Sequence, residues 1–286
     1  MGKIVIVGSG PAGCSAALYT ARAGQEVVVI SMGMGALSKA ELIQNYYGFE
    51  EGITGAELYR QGVAGAKAVG AEFITAEVVG LDYTGSLVVQ TTEGDYPADA
   101  VILATGAGRI APKIAGLAEH EGRGVSYCAT CDAFFYRGKT AAVLGSGEYA
   151  LHEVQALLPL AGRVILCTNG EPLTADFPEG VEICTEKLAA VEGEEKVSAL
   201  RLENGELLPV EGLFVALGVA GSAALARKLG APVENGRIVV DERMQTGIPG
   251  LYAAGDCTGG LLQVCKAVYE GALAATEAIK QIRGKK

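Results

Sequence analysis

One pattern occurs twice in this chain, and it dictates the class of fold. Lys3 leads into four consecutive β-branched residues at 4–7, then into the turn Gly8-Ser9-Gly10-Pro11-Ala12-Gly13. Residues 14–24 read as a helix with Cys14, Ala17, Leu18 and Ala21 on one face, and 26–30 (EVVVI) as the next strand. An unbroken β-branched run fits a strand buried on both faces, as in a parallel sheet. The second copy begins at position 140, 137 positions after Lys3. It comprises a strand at 140–144, the turn Gly145-Ser146-Gly147-Glu148-Tyr149-Ala150, a helix over His152 to Leu160, and a strand at 163–167.

Each copy is a βαβ unit, so the spacing predicts an α/β chain of two doubly wound, Rossmann-like domains. The second is inserted into the first: residues 1–114 and 239–286 form one domain, 115–238 the other. Chain breakers Pro112, Gly116 and Gly236 stand near the junctions. Strands at 78–82, 87–92 and 100–103 are expected to pair antiparallel across glycine-containing turns. A hairpin is expected where 197–202 and 206–210 flank Asn204-Gly205. A final helix is expected over about 263–282.

Composition narrows the class further. The 286 residues are 50% hydrophobic and 20% charged, which argues against disorder. The 41 glycines follow no period of three, so collagen is excluded. No 18-residue apolar window is free of charge, so no membrane span is expected. The first residues form a strand and turn, not a signal peptide. A net charge of −10 without a basic stripe disfavours nucleic acid as a partner. Seven scattered cysteines fit a reducing cytoplasm better than a secreted disulfide scaffold.

The first glycine turn sits between a strand and a helix, the context in which GxGxxG binds a dinucleotide. Gly8 permits the turn, Gly10 lets backbone approach a pyrophosphate, and Gly13 lets helix and strand pack. No acid closes the second strand; Ser31 stands there and can hydrogen-bond a ribose hydroxyl. Cys128-Ala-Thr-Cys131-Asp132 is the chemical centre. CxxC brings two sulfurs within disulfide reach, and Asp132 can move the accompanying proton. Zinc would need four ligands and a cluster two more patterned cysteines, neither of which is present, so a redox dithiol is the preferred reading.

Taken together, several stretches resemble the low-molecular-weight thioredoxin reductases. They are GSGPAG at 8–13, NYYGFEEGITGAEL at 45–58, ILATGA at 102–107, SYCATCDAFFYRGK at 126–139, MQTGIPGLYAAGD at 244–256 and EGALAA in the last helix. The resemblance implies a cytoplasmic, homodimeric FAD enzyme that reduces thioredoxin. Gly8, Gly10, Pro11, Ala12 and Gly13 would hold the pyrophosphate. Gly35 and Leu37 match a loop near the flavin, although the family's Gln in that loop is absent. Asn45, Thr105, Gly106, Ala107, Gly255, Asp256 and Gln263 match further flavin contacts. By the same resemblance Cys131 exchanges with the flavin, Cys128 forms the mixed disulfide with thioredoxin, and Asp132 donates the proton.

The second turn departs from the family's NADPH site. Glu148 and Tyr149 stand where phosphates would meet the helix N-terminus, and Cys167-Thr168-Asn169-Gly170-Glu171 offers no arginine clamp. Residues 116–237 hold 10 basic against 17 acidic residues, an unhelpful field for a phosphorylated dinucleotide. The NADPH site therefore reads as degenerate, and the chain resembles the ferredoxin-dependent flavin thioredoxin reductases. A ferredoxin partner is acidic, so docking would need a basic patch such as Lys280, Arg283, Lys285 and Lys286. The alternatives are an NAD(P)H-dependent reductase, an FAD dithiol oxidase using oxygen, or a flavin-bearing redox sensor without turnover. His120 and His152 are expected to have no catalytic role, and the five remaining cysteines to be small core residues.

Overall fold

A computed structural model describes residues 2–106, 114–218 and 220–284. The chain divides into two compact units, Met1–Arg109 with Gly221–Lys286, and Ile110–Ala220. The second junction thus lies at 220/221 rather than at 238/239. Residues 221–238 join the first unit because Ser222 and Thr105 lock together: their hydroxyls lie 2.6 Å apart, and the Ser222 amide donates to the Thr105 hydroxyl at 2.8 Å. Pro112, Ala107, Lys285 and Lys286 lie outside the described residues.

In chain order, the first unit begins with β1 (Lys3–Val7), α1 (Pro11–Arg22), β2 (Glu26–Ser31), α2 (Gly55–Ala68) and β3 (Glu72–Thr75). It continues with β4 (Val78–Tyr83), β5 (Leu87–Thr91), β6 (Gly94–Ala98) and β7 (Ala100–Leu103). The second unit holds β8 (Val125–Ser126), α3 (Ala129–Asp132), β9 (Thr140–Leu144), α4 (Glu148–Leu157) and β10 (Arg163–Cys167). After these come β11 (Glu182–Cys184), β12 (Leu188–Glu192), β13 (Ala199–Leu202), β14 (Leu207–Pro209) and β15 (Gly212–Val215). The chain returns to the first unit with α5 (Ser222–Lys228), β16 (Val233–Glu234), β17 (Arg237–Ile238), β18 (Leu251–Ala253) and α6 (Val264–Gly284).

The first unit is built on a parallel sheet in the order β18-β7-β1-β2-β3. Residues 4–7 and all of β7 are buried, as expected of strands covered on both faces. Here the structure corrects an expectation. Ala100–Leu103 is not a member of the antiparallel group but the strand between β1 and β18; its four uninterrupted apolar residues suit that central place. The antiparallel sheet is instead β4-β5-β6, with Gly94–Ala98 supplying the third strand. Helices α1 and α6 pack very closely: a β-carbon on Gly271 would stand 2.1 Å from the Ala12 carbonyl oxygen, and Ser15 donates to the Val268 carbonyl at 2.7 Å.

The second unit repeats the plan with a parallel sheet, β11-β10-β9-β15-β8, and a separate antiparallel sheet, β12-β13-β14. The Asn204-Gly205 hairpin forms as expected. Gly205 takes φ +89°, the Asn204 side chain accepts the Glu206 amide at 2.9 Å, and Arg201 pairs with Leu207. Its core lies between the sheets, around Leu144, Ile165, Leu200 and Leu213. Among the described residues, no helix is long and apolar enough to cross a membrane.

Candidate functional site

In the first unit, the loop between β1 and α1 opens a cavity of about 440 Å³. Each glycine of the loop has a separate reason to be glycine. Gly8 sits at φ +108°, and a β-carbon there would meet the Ala104 carbonyl oxygen at 2.4 Å. A β-carbon on Gly13 would lie 1.8 Å from the Gly8 carbonyl oxygen. Gly10 has an ordinary φ of −68° and nothing within 4 Å, so its missing side chain keeps open space in front of α1. That helix end has neither a side-chain cap nor an acid in its first turn, which leaves its N–H groups and positive dipole end to an anion.

Gly8, Gly10, Pro11, Ala12, Gly35, Leu37, Asn45, Thr105, Gly106, Gly255, Asp256 and Gln263 all line this cavity. Two of these lining residues are joined: the Asn45 amide donates to the Gln263 side-chain oxygen at 2.8 Å. Two expected residues stand behind the wall. Gly13 serves packing, and Ser31 spends its hydroxyl on Ser9 at 2.7 Å, which in turn donates to the Gly33 carbonyl at 3.2 Å. The Gly255 turn is fixed by a pair that the sequence reading did not assign. Glu270 accepts the Gly255 amide at 2.8 Å, while Lys266 donates to the Gly255 carbonyl at 2.8 Å and pairs with Glu270 at 3.0 Å. Their i,i+4 spacing on the last helix was the available signal. An open glycine turn against an uncapped helix end fits the pyrophosphate of FAD, with the rest of the cavity for its remaining length.

In the second unit, Cys128 and Cys131 form a disulfide with Cα atoms 5.4 Å apart. Cys128 caps the short α3 helix, its sulfur accepting the Cys131 amide at 3.1 Å. Cys128 is buried and Cys131 exposed. Ser126, unassigned by the sequence reading, organises the group: its hydroxyl donates to Asp132 at 2.7 Å and accepts the Cys128 amide at 3.1 Å. From below, the fully buried Glu153 accepts the Ala129 amide, and His152 lies 3.3 Å from its other oxygen. Burial, with the nearby Asp132 charge, raises the Tyr136 phenol above its usual range.

The second glycine turn differs from the first where it matters. A β-carbon on Gly147 would meet the Thr174 hydroxyl at 3.0 Å, and the Thr174 amide donates to the Ser146 carbonyl at 2.8 Å. The segment carrying Thr174 therefore lies over the turn. Glu148 occupies the first turn of α4, as the sequence indicated. Tyr149 does not obstruct this helix end: it is buried, and its hydroxyl donates to the Tyr127 carbonyl at 3.0 Å. Lys187 lays its methylene chain against Gly170, placing a base beside the loop after β10.

The other residues sort simply. His120 is buried between the carbonyls of Gly116 and Gly193, at 2.7 and 3.1 Å. Cys14, Cys167 and Cys257 are buried and Cys184 half-buried, but Cys265 is exposed, contrary to the expectation of a core residue. At the C-terminal helix end, Lys280 pairs with Glu277 at 2.6 Å and Arg283 donates to the Ala23 carbonyl at 3.0 Å.

Comparison with known proteins agrees with this geometry. Residues 2–271 match the family model described as pyridine nucleotide-disulphide oxidoreductase. A thioredoxin reductase from Aquifex aeolicus is 36% identical, covering 99% of this chain and 94% of that one. The crystal structure of the atypical thioredoxin reductase TRi from Desulfovibrio vulgaris Hildenborough is 40% identical with a TM-score of 0.93, covering 99% of each chain. That of a ferredoxin-flavin thioredoxin reductase from Clostridium acetobutylicum is 35% identical with a TM-score of 0.75, covering 99% of this chain and 98% of that one. The chain belongs to the pyridine nucleotide-disulphide oxidoreductase family, within its thioredoxin reductase branch.

Proposed function

We propose that this protein is an FAD-dependent thioredoxin reductase whose electron donor is a ferredoxin rather than NADPH. The observation that carries the disulfide chemistry is the Cys128–Cys131 bridge, with Asp132 held beside it by Ser126. FAD, when bound, would supply the electrons that open this bridge. Gly10 gives the pyrophosphate access to α1, and the hydrogen-bonded Asn45–Gln263 pair lines the same cavity. In the opened pair, Cys128 attacks the thioredoxin disulfide and Cys131 then displaces reduced thioredoxin and reforms the bridge. Asp132 holds the proton that the departing sulfur requires. Cys128 is buried, so it must be uncovered before meeting a protein disulfide.

The donor assignment rests on the second glycine turn. Thr174 fills the space in front of Gly147, and Glu148 stands at the helix end where a pyrophosphate would bind. A neighbour of similar fold carries ferredoxin in its name. The deciding experiment is an anaerobic titration of the flavin-loaded protein with reduced ferredoxin, NADPH and NADH, followed by oxidised thioredoxin. Flavin reduction by ferredoxin with turnover of thioredoxin is expected. Rapid bleaching by NADPH overturns the donor, and oxygen uptake on adding dithiols without thioredoxin turnover overturns the reductase reading.

A further inference from the structure

Outside the redox bridge, two other cysteines are brought together by the sheet. Strands β10 and β11 pair in parallel with Cys167 directly opposite Cys184. In-register neighbours project from the same face, and both side chains join one apolar cluster under the antiparallel sheet. Adjacent strands run about 4.7–4.9 Å apart, inside the Cα separation of about 4.4–6.8 Å that a disulfide tolerates. The two sulfurs act on each other's titration in opposite senses, Cys167 upward and Cys184 downward. They differ in access: Cys167 is buried and Cys184 half-buried at the outer strand of the sheet.

We propose that Cys167 and Cys184 form a second thiol–disulfide exchange site, distinct from Cys128–Cys131, that takes neutral or cationic small disulfides. Cys184 is the attacking sulfur. Its thiolate attacks one sulfur of RSSR, forming Cys184–S–S–R and releasing RS⁻, which takes a proton from solvent. Cys167 then loses its proton to solvent, and its thiolate attacks the Cys184 sulfur. The Cys184–SR bond breaks, and the second RS⁻ leaves. Two protein thiols have become one disulfide, and one external disulfide has become two thiols.

The electrostatics divide the roles in the same way. Interaction with the Cys167 thiol, and after it with the Glu186 backbone, brings Cys184 down to about 6 against its partial burial, while Cys167 is pushed up by the same interaction and by burial. Capping Cys184 removes the contact that holds the Cys167 proton, which frees Cys167 for the second step. The charge around the pair selects the disulfide. Glu182, Glu186 and Glu206 act on these sulfurs, with Glu182 paired to Arg163 at 2.6 Å. Such surroundings repel anionic disulfides and admit cationic ones.

The test uses the flavin-loaded protein with Cys128–Cys131 oxidised. No Lys or Arg lies between Val164 and Glu186, so trypsin releases both cysteines on the single peptide 164–187. The protein is treated with cystamine, alkylated and digested. In the expected result, peptide 164–187 carries neither cysteamine nor alkyl group until it is reduced, after which it takes two alkyl groups. Cys167→Ser is expected to trap one cysteamine on Cys184. Oxidised glutathione, a net anion, should react on the order of tenfold more slowly than cystamine after correction for their rates with a free thiol. A stable cysteamine adduct on Cys184 in the unsubstituted protein overturns the proposal. So does a peptide that takes two alkyl groups without reduction, or faster reaction with glutathione.

Discussion

The Ser126 hydroxyl donates to the Asp132 carboxylate at 2.7 Å and accepts the Cys128 amide at 3.1 Å, so one side chain ties Asp132 to the first cysteine. A hydrogen bond to a charged group contributes about 1.5–3 kcal/mol, and here it also fixes where the carboxylate points. Ser126→Ala should lower kcat for thioredoxin reduction by about tenfold, whereas Asp132→Asn should cost about 10²–10⁴-fold, the range for loss of a general acid. Ser126→Thr, which keeps the hydroxyl, should retain most of the rate. Steady-state kinetics with oxidised thioredoxin decide this. An unchanged kcat in Ser126→Ala would remove the positioning role.

Gly10 and Gly13 should separate binding from folding. Gly10 has allowed backbone angles and open space, so Gly10→Ala should fold normally, with a change in unfolding temperature of a degree or two at most for a shift of about 0.5 kcal/mol. Its methyl group stands where a pyrophosphate would approach, so the purified protein should lose most of its flavin absorbance. Gly13→Ala forces a carbon to 1.8 Å from the Gly8 carbonyl oxygen and should yield little folded protein. Flavin absorbance and thermal unfolding measured on both variants test the pair. Full flavin retention in Gly10→Ala would contradict the assignment of that turn.

What the sequence disclosed depended on whether a signal was local. The two βαβ units were legible because a short apolar strand, a glycine turn and a helical face lie within about thirty residues of one another. Ala100–Leu103 was misplaced because its true neighbours, β1 and β18, lie roughly one hundred and one hundred and fifty residues away along the chain. The boundary near 220 depended on Ser222 meeting Thr105, a contact across 117 positions that no pattern announces. Glu153, Thr174 and Ser126 escaped notice for the same reason. Each acts through one hydrogen bond or close approach set by tertiary packing, not through a spacing. Tyr149 shows the converse error: its position in the turn was read correctly, but the direction of its side chain was not.

Cys184 should titrate apart from the buried thiols. Only the thiolate is nucleophilic, so lowering the thiol to about 6 makes alkylation of Cys184 rise through pH 6 and level off above pH 7. Burial pushes Cys14 up to about 12 and Cys257 to about 11, so both should stay unreactive across that range. Cys167→Ala removes the neighbour that lowers Cys184 and should move the Cys184 midpoint upward, towards that of an ordinary cysteine. Iodoacetamide labelling between pH 5 and 9, read peptide by peptide, measures the midpoints. A Cys184 midpoint near 9 in the unsubstituted protein would show that the Cys167 contact does not lower it.

Glu153 should prove structural to the redox helix. It is 1% exposed and accepts the Ala129 amide, the first N–H after Cys128, so it closes the start of α3 from beneath. Removing the acceptor leaves a buried N–H without its partner, which costs about 1–3 kcal/mol, and Glu153→Ala also opens a void at the site. Glu153→Gln keeps a carbonyl oxygen in place and should lose less. The expected order of unfolding temperature is therefore unsubstituted protein, then Glu153→Gln, then Glu153→Ala, with roughly 4 °C lost per kcal/mol in a unit the size of Ile110–Ala220. Because α3 carries both sulfurs, Glu153→Ala should also speed reduction of the Cys128–Cys131 bridge by small dithiols. If the two variants unfold together at the unsubstituted temperature, the Ala129 contact does not hold the helix. If Glu153→Gln falls as far as Glu153→Ala, the carboxyl group acts through its charge instead.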